Sequence, residues 1–379
     1  MNRPSTSSTH DQVRTVGVEE ELLLVDAETG VPRSVASEVL RVARRRGDTE
    51  VDDGEAGGSV GPELQQQQVE TDTPPAEHLG LLELELRRWR DKARAAATEV
   101  GALILASGTT LLPARTQTFD DERYAAITEQ FGLTATEQLT CGCHVHVSVD
   151  SDEEAVAALD RIRVWLPVLL AISANSPFWH GEESGYESFR SQAMTRWPTN
   201  GPTEIFGSAQ AYHDHLRLLV DTGVPLDEGM AYFDARPSRS FPTLEVRVAD
   251  VCLDPSDTAL VAALSRALVE TAARNWAQGR LADPASVAVL RLAMWQAGRH
   301  GITGDLLDPQ THRPKPARDV VERLVEHVGP ALRDSGDLAR VEDGIDRVFT
   351  RGTGSTAQRR IHSEEGRLDR TVLRLAELT

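Results

Sequence analysis

The chain has 379 residues and a formal net charge of −19, which argues against a nucleic-acid partner because such interfaces need a basic surface. Its 40 % hydrophobic and 26 % charged residues are typical of a globular protein. The polar start lacks the apolar core of a signal peptide. The longest uncharged apolar run, residues 164–172, is too short to cross a bilayer. With three cysteines, too few for a disulfide framework, the chain is expected to be cytoplasmic, with no membrane contact.

The first hundred residues predict a strand, a loop and a long helix after a disordered tail over residues 1–12. Residues 15–26 predict a strand that ends at a turn signal. The acidic, glycine-rich residues 46–62 predict a loop or hairpin, and residues 63–70 an extended segment. Over residues 76–106 apolar side chains recur every three or four positions, which predicts a helix.

The remaining elements are mostly helical. Because strands are separated by long helices without regular alternation, the pattern favours an α+β fold. The predicted elements are a strand over 141–150, a helix over 153–174, a strand over 241–251, a helix from Asp254 to Gln278 and a mainly helical region over 281–379, interrupted at 351–355.

Two histidines and two cysteines alternate in the sequence CGCHVH. Since alternate residues of a strand share a face, His144 and His146 are predicted to point one way, and Cys141 and Cys143 the other. Ligands on opposite faces cannot converge on one tetrahedral zinc ion. The cysteines are therefore expected to pack in the core, while the histidines form either a structural pair or a ligand pair.

The first predicted strand carries three consecutive glutamates. Glu19 and Glu21 share a face, and two carboxylates about 4 Å apart repel each other by roughly 1–4 kcal/mol. They are expected either at an exposed edge or around a cation. Glu20 lies on the opposite, more apolar face, and the pattern does not explain it.

Two further segments add polar groups of the same kind. Glu245 and Arg247 share one face of a later strand and form either a surface ion pair or part of a site. Glu70 is either solvated or a ligand. Several strands thus combine an apolar face with a face of Glu or His, a donor set that suits Mg²⁺ or Mn²⁺. The sequence has neither a P-loop nor a dinucleotide-binding glycine motif, so metal ions and arginines would have to hold any nucleotide.

The order of these motifs resembles the glutamate–cysteine ligase type 2 family of bacterial carboxylate–amine ligases. The resemblance covers about residues 13–280, and residues 352–360 resemble the family more weakly. It rests on GVEEELLLVD, VETDTP, CGCHVHVSV, ANSPFWHGEESGYESFR, DARPS and TLEVRVAD, in that order. It implies one catalytic domain over residues 13–379, with a curved, mainly antiparallel sheet and helices on its convex side, as in glutamine synthetase and glutamate–cysteine ligases.

The resemblance also assigns roles by motif position. It makes Arg247, with Glu245, the catalytic pair that faces the ATP phosphates, and Arg190 and Arg236 the anchors for substrate carboxylates or ATP. The implied metal ligands are Glu19, Glu21, Glu63, Glu70, His144 and Glu245.

The implied reaction uses ATP and Mg²⁺ or Mn²⁺ to convert glutamate to γ-glutamyl phosphate, which then reacts with cysteine. All expected substrates are small molecules, and whether the chain forms a homodimer stays open. Three alternatives remain: the same chemistry with another acid or amine, a divalent-metal hydrolase that needs no ATP, and a non-catalytic protein that binds ATP without forming ADP.

Overall fold

The computed structural model describes residues 13–49 and 57–379. The tail predicted over residues 1–12, and part of the loop predicted over 46–62, lie outside the described residues. No described helix is both long enough and apolar enough to cross a bilayer.

The described chain contains strands β1 to β11 and helices α1 to α14. The strands are β1 (Val16–Asp26), β2 (Ser59–Pro62), β3 (Gln68–Asp72), β4 (Ala102–Leu105), β5 (Gly142–Ser148), β6 (Phe178–Trp179), β7 (Glu182–Glu183), β8 (Ala235–Pro237), β9 (Thr243–Asp250), β10 (Asp305–Leu307) and β11 (Pro314–Pro316). The helices are α1 (Ala36–Arg46), α2 (Leu79–Glu99), α3 (Glu122–Phe131), α4 (Leu133–Thr136), α5 (Asp152–Ile162), α6 (Leu166–Ser173), α7 (Arg190–Met194), α8 (Ala209–Asp221), α9 (Pro255–Ala277), α10 (Val287–His300), α11 (Ala317–Asp334), α12 (Leu338–Arg351), α13 (Gly354–Glu365) and α14 (Leu368–Ala376).

Seven strands form the main sheet, in the order β2-β3-β1-β5-β9-β8, with β4 paired to the second half of β1. Each of these pairs is antiparallel. The sequence-based prediction of an antiparallel sheet with helices is confirmed.

One face of this sheet packs against helices. Val18, Val145 and Val246 lie in the same buried cluster as Leu264 and Leu268 of α9. Helix α9 begins where the sequence predicts, because the Asp254 side chain accepts a hydrogen bond from the Ser256 amide at 2.9 Å and Pro255 takes the first helical position. The apolar strand positions therefore fix which face remains for polar groups.

Glu20 lies on this apolar face, is fully buried and forms an ion pair with a buried arginine. The guanidinium of Arg90 on α2 donates two hydrogen bonds to its carboxylate, at 2.7 and 2.6 Å. The hydroxyl of Thr258 on α9 donates a third at 2.7 Å. Arg90 also donates to the main-chain carbonyls of Cys252 and Leu253. The buried pair thus ties β1, α2 and α9 together.

Three predicted boundaries are wrong. The helix predicted over 76–106 ends at Glu99, because Gly101 adopts a left-handed conformation (φ 73°), and the apolar residues that follow form β4 against β1. The helix predicted over 153–174 is two helices, and the second, α6, begins near Pro167, which lacks an amide donor. The segment predicted as extended over 63–70 forms a turn before β3 begins at Gln68.

Candidate active site

The polar face of the sheet brings the predicted glutamates and histidines together through strand register. Glu21 lies opposite Glu70 on β3, and Glu19 lies opposite His144 on β5. The His144 ring nitrogens lie 3.2 Å from a Glu19 oxygen and 3.6 Å from a Glu21 oxygen. His146 Nε2 lies 3.0 Å from the other Glu19 oxygen. Groups far apart in sequence are therefore neighbours.

Glu245 joins this set from the neighbouring strand β9. It lies opposite His146 on one side and Arg236 of β8 on the other. One of its oxygens pairs with Arg247, and the other accepts a hydrogen bond from Arg236 Nε at 2.8 Å. Its nearest oxygen lies 3.9 Å from His144 Nδ1. Two arginines thus pair with Glu245, which also lies close to the candidate metal ligand His144.

These side chains line one cavity of about 500 Å³. Its walls include residues that the sequence did not point to, namely Arg123, Tyr124 and Tyr232. They reach the cavity from α3 and from the loop before β8, and no motif or periodicity marks them. The predicted site residues that line the cavity are Glu19, Glu21, Glu63, Glu70, His144, His146, Arg236, Glu245 and Arg247.

Two predicted residues lie apart from the centre of this cluster. Glu63 lines the cavity from the turn between β2 and β3 but belongs to neither group of convergent ligand atoms. Arg190 lines an adjacent cavity, with its guanidinium against Gly142, where an added Cβ would lie 2.2 Å from a guanidinium nitrogen. The glycine in CGCH is thus needed for the close approach of Arg190.

Crowding of the carboxylates changes their protonation. Burial, followed by the charge of Glu21, raises the pKa of Glu63 to about 8. Burial, followed by the charge of Glu19, holds the pKa of Glu70 well above its usual range. Without a cation, both groups retain protons that a solvated glutamate would release.

The opposite shift occurs where a basic group is close. Burial acts to raise the pKa of Glu19, but the hydrogen bond to His144 and the close approach of His146 outweigh it and hold that pKa well below its usual range. In the same way Arg247 and Arg236 outweigh burial and lower the pKa of Glu245 to about 2. The cavity therefore contains both permanently ionised and readily protonated carboxylates.

The donor set fits a hard divalent cation. Glu19, His144 and Glu245 offer ligand atoms within 4.8 Å of one another, and so do Glu21, Glu70 and His144. Carboxylate oxygens with one imidazole suit Mg²⁺ or Mn²⁺. Neither group of convergent atoms among the described residues includes a cysteine.

The cysteines are buried and free, as predicted. Cys143 lies in the cluster on the apolar face of the sheet, which agrees with the parity argument. Cys141 precedes β5, packs in a second cluster and accepts a hydrogen bond from Gln68 at 3.4 Å. Strand parity therefore applies to Cys143 and not to Cys141.

Comparison with known sequences gives a match along nearly the whole chain. Residues 15–374 match the protein family described as glutamate-cysteine ligase family 2. A protein of Streptomyces avermitilis provisionally named glutamate–cysteine ligase 2-1 is 49 % identical over 360 residues, which cover 95 % of this chain and 98 % of that protein. A protein of Streptomyces coelicolor, provisionally named glutamate–cysteine ligase 2, is 49 % identical over 362 residues, or 95 % and 97 % of the two chains.

Solved structures with a similar fold include two ligases. The crystal structure of a glutamate–cysteine ligase from Francisella tularensis in complex with AMP has a TM-score of 0.70 and 14 % identity, and the match covers 97 % of this chain and 88 % of that one. A bifunctional glutathione synthetase from Pasteurella multocida has a TM-score of 0.66 and 15 % identity, over 97 % and 52 % of the two chains. At these identities the likeness concerns the fold alone.

Proposed function

The chain belongs to glutamate–cysteine ligase family 2 and is a carboxylate–amine ligase, and we propose that it joins the γ-carboxylate of glutamate to the amino group of cysteine at the expense of ATP. The observation that carries this proposal is the convergence of Glu19, Glu21, Glu70 and His144 on one cavity beside Arg247. A ligase of this kind must bind ATP without a P-loop, and a divalent cation held by these residues, next to an arginine, would supply the positive charge it needs.

In the proposed reaction, a γ-carboxylate oxygen of glutamate bonds to the γ-phosphorus of ATP while the bond to ADP breaks. The amino nitrogen of cysteine then bonds to the acyl carbon, inorganic phosphate leaves, and the nitrogen loses a proton. Neither step needs a nucleophilic side chain. The protein's contribution is to position two anions and to offset the charge that develops between them.

The roles of the individual residues follow from their surroundings. Glu19, Glu21, Glu70 and His144 would hold Mg²⁺, which when bound neutralises charge on the phosphate oxygens. Arg247 would contact the phosphates, since its planar guanidinium can bind two oxygens at once. Glu245 holds Arg247 in the cavity and lies beside His144. We propose it as a further ligand, and Glu63, which lines the cavity, as a peripheral one.

Two wider predictions belong to the same proposal. We propose that residues 13–379 form a single catalytic domain, because strands β1, β3, β5 and β9, drawn from widely separated parts of the chain, build one sheet. A cytoplasmic location stays a prediction from the sequence, and whether the chain forms a homodimer stays open.

The test is product analysis with labelled substrate. Protein, ATP, Mg²⁺, cysteine and glutamate carrying ¹⁸O in its γ-carboxylate should give ADP, γ-glutamylcysteine and ¹⁸O-labelled phosphate in equal amounts, because one labelled oxygen passes to phosphate through the acyl phosphate. Glu19→Gln should abolish all three products. Glu28→Gln, an exposed glutamate in the turn after β1, is the matched control and should behave as wild type.

The other outcomes separate the alternatives. ADP formed with a different acid or amine would keep the chemistry and change the substrate. Hydrolysis of a substrate without ATP would identify a metal-dependent hydrolase. ATP binding without any ADP, across a panel of amino-acid pairs, would contradict the proposed activity.

A further inference from the structure

A second cavity of about 180 Å³ lies next to the cavity of about 500 Å³ that contains the proposed metal ligands, which we call the metal cavity. Arg247 and Tyr232 line both. The other charged groups that line the second cavity are Arg190, Asp234 and Arg291. The two cavities therefore meet at the arginine that we place beside the phosphates, and a molecule in the second cavity could extend its far end into the first.

Asp234 is a buried carboxylate without a hydrogen-bond partner among the described residues. Its side chain is 8 % exposed, its Oδ2 atom is buried, and neither oxygen takes part in a hydrogen bond or ion pair with a described residue. Its main chain is held on both sides, since its amide donates to the Gly201 carbonyl at 3.0 Å and its carbonyl accepts from the Arg247 amide at 2.9 Å. Burial raises the pKa of Asp234 to about 7, although the charges of Arg291 and Arg190 act to lower it. A carboxylate fixed in this way is only partly compensated by its own chain, so an ammonium group bound beside it would stabilise its charged form.

Arg190 is the matching cation on the other side of the same cavity. It is 5 % exposed, and its Nε atom has no hydrogen-bond acceptor. Its terminal nitrogens reach main-chain carbonyls of Val248 and Arg247 only at 3.4 Å, and Asp250 at 3.9 Å. Arg291 of α10 adds a second, exposed guanidinium to the wall. The cavity thus offers one carboxylate without a hydrogen-bond partner and two guanidinium groups that can donate further hydrogen bonds.

We propose that this cavity binds the α-amino acid head group of the acid substrate, with Asp234 accepting hydrogen bonds from the α-ammonium and Arg190 and Arg291 donating to the α-carboxylate. The inference rests on the proposed function and names the site for one of its substrates. With the head group held here, the side-chain carboxylate of glutamate points past Arg247 towards the metal cavity, where phosphoryl transfer takes place.

The chemistry of the reaction decides which of the two amino acids uses this site. The amine substrate must lose a proton and attack the acyl carbon, so its amino group cannot stay bound as an ammonium to Asp234. The α-ammonium of the acid substrate takes no part in either step. A carboxylate that holds a permanent ammonium therefore fits the acid substrate and not the amine.

Two analogues of glutamate test this assignment. Glutarate lacks the α-ammonium, and 4-aminobutyrate lacks the α-carboxylate, while both keep the reacting carboxylate at the same distance. Cysteine-dependent ADP formation is measured with each, and kcat/KM is compared with that for glutamate. Wild type should prefer glutamate to either analogue at least 100-fold, because each analogue leaves a buried protein charge unpaired.

The variants should relax these preferences separately. Asp234→Asn should reduce the preference over glutarate at least tenfold and leave the preference over 4-aminobutyrate within a factor of three. Arg291→Met should do the opposite, and neither should change KM for ATP. Asp305→Asn, an exposed aspartate on β10, is the control and should leave both preferences unchanged.

Unchanged preferences in an active Asp234→Asn protein would overturn the assignment of the ammonium, and unchanged preferences in both variants would overturn the site. If Asp234→Asn does not fold, Arg291→Met decides, because that exposed side chain is not needed for packing. Failure of wild type to form ADP from glutamate and cysteine would instead reject the proposed function itself.

Discussion

Glu19 and Glu20 are neighbours on β1, but they face opposite sides of the sheet and meet opposite conditions. Glu20 is buried against Arg90 and Thr258, which satisfy its carboxylate at 2.6–2.7 Å. Glu19 and the other carboxylates of the polar face crowd together around His144. On the first side the protein supplies all the compensating charge. On the second it leaves several carboxylates to share few basic groups.

We propose that this difference separates structural charges from functional ones. A buried carboxylate that its own chain neutralises stabilises the packing of helices on the sheet. Where carboxylates are held close without sufficient neutralisation, burial first and then the neighbouring charges raise their pKa, as at Glu63 and Glu70, and a bound cation is favoured. Substitutions on the two faces of the sheet should therefore affect different properties, stability on the Glu20 face and activity on the Glu19 face.

The largest effect is expected on the face of the sheet where the protein itself neutralises the charge of Glu20. Glu20→Ala leaves the Arg90 guanidinium buried without its anion, which should lower the free energy of unfolding by roughly 3–5 kcal/mol. Denaturant unfolding with chelator present measures it. A double variant, Glu20→Leu with Arg90→Met, should recover a large part of this loss, since it removes both charges. A loss as large in the double variant as in Glu20→Ala would show that shape matters here and not the ion pair.

The next effect lies on the uncompensated side and concerns activity. Arg247→Lys keeps the charge but removes the planar pair of donors. We expect kcat/KM for ATP to fall about 10- to 100-fold, which is about 1.4–2.8 kcal/mol, with little change in stability. Steady-state kinetics at varied ATP checks this. Wild-type kinetics would place Arg247 outside the nucleotide site.

A smaller effect concerns the protonation of Glu70. Its pKa is raised in the folded state, so the folded protein keeps a proton that the unfolded chain releases, and stability falls as pH rises above the unfolded pKa. Glu70→Gln removes this dependence. In chelator, the free energy of unfolding of the variant should rise relative to that of wild type, by up to about 1.4 kcal/mol per pH unit, as the pH rises above the pKa of an unfolded glutamate. Unfolding curves at several pH values measure the gap, and a constant gap would mean that Glu70 titrates normally.

The smallest effect is expected for the cysteines. Cys143→Ala removes one sulfur atom from the core and should cost about 1 kcal/mol while activity remains, and Cys141→Ala should likewise retain activity. His144→Ala is the contrasting variant on the same strand, and it should fold but lose ligase activity. Metal analysis completes the comparison, because zinc that disappears together with activity in a cysteine variant would contradict the oxygen-rich site.

The centre of the site could be predicted from the sequence because strands alternate with a period of two. That rule places Glu19 with Glu21, His144 with His146 and Glu245 with Arg247, and the structure brings all six to one cavity. The family resemblance supplied the antiparallel arrangement of the sheet, which periodicity alone does not specify, and the order of the strands came only from the structure.

Other parts of the molecule could not be predicted in this way. Arg90 is separated from Glu20 by 70 positions, and no local pattern shows that a helix residue will reach a strand on the apolar face. Tyr124 and Tyr232 enter the cavity from a short helix and a loop, where tertiary packing fixes the position. Gly101 is a recognisable signal for the end of a helix. The apolar residues after it continue the helical spacing, however, so the sequence does not indicate the short strand β4.

The central claim is that the polar face of the sheet holds a divalent cation through its crowded carboxylates. Mn²⁺ binding followed by electron paramagnetic resonance tests it directly in wild type, Glu70→Gln and Glu28→Gln. We predict saturable binding by wild type and Glu28→Gln with the same Kd, and a Kd at least tenfold higher for Glu70→Gln. Equal binding by all three proteins, or no saturable binding by wild type, would contradict the account.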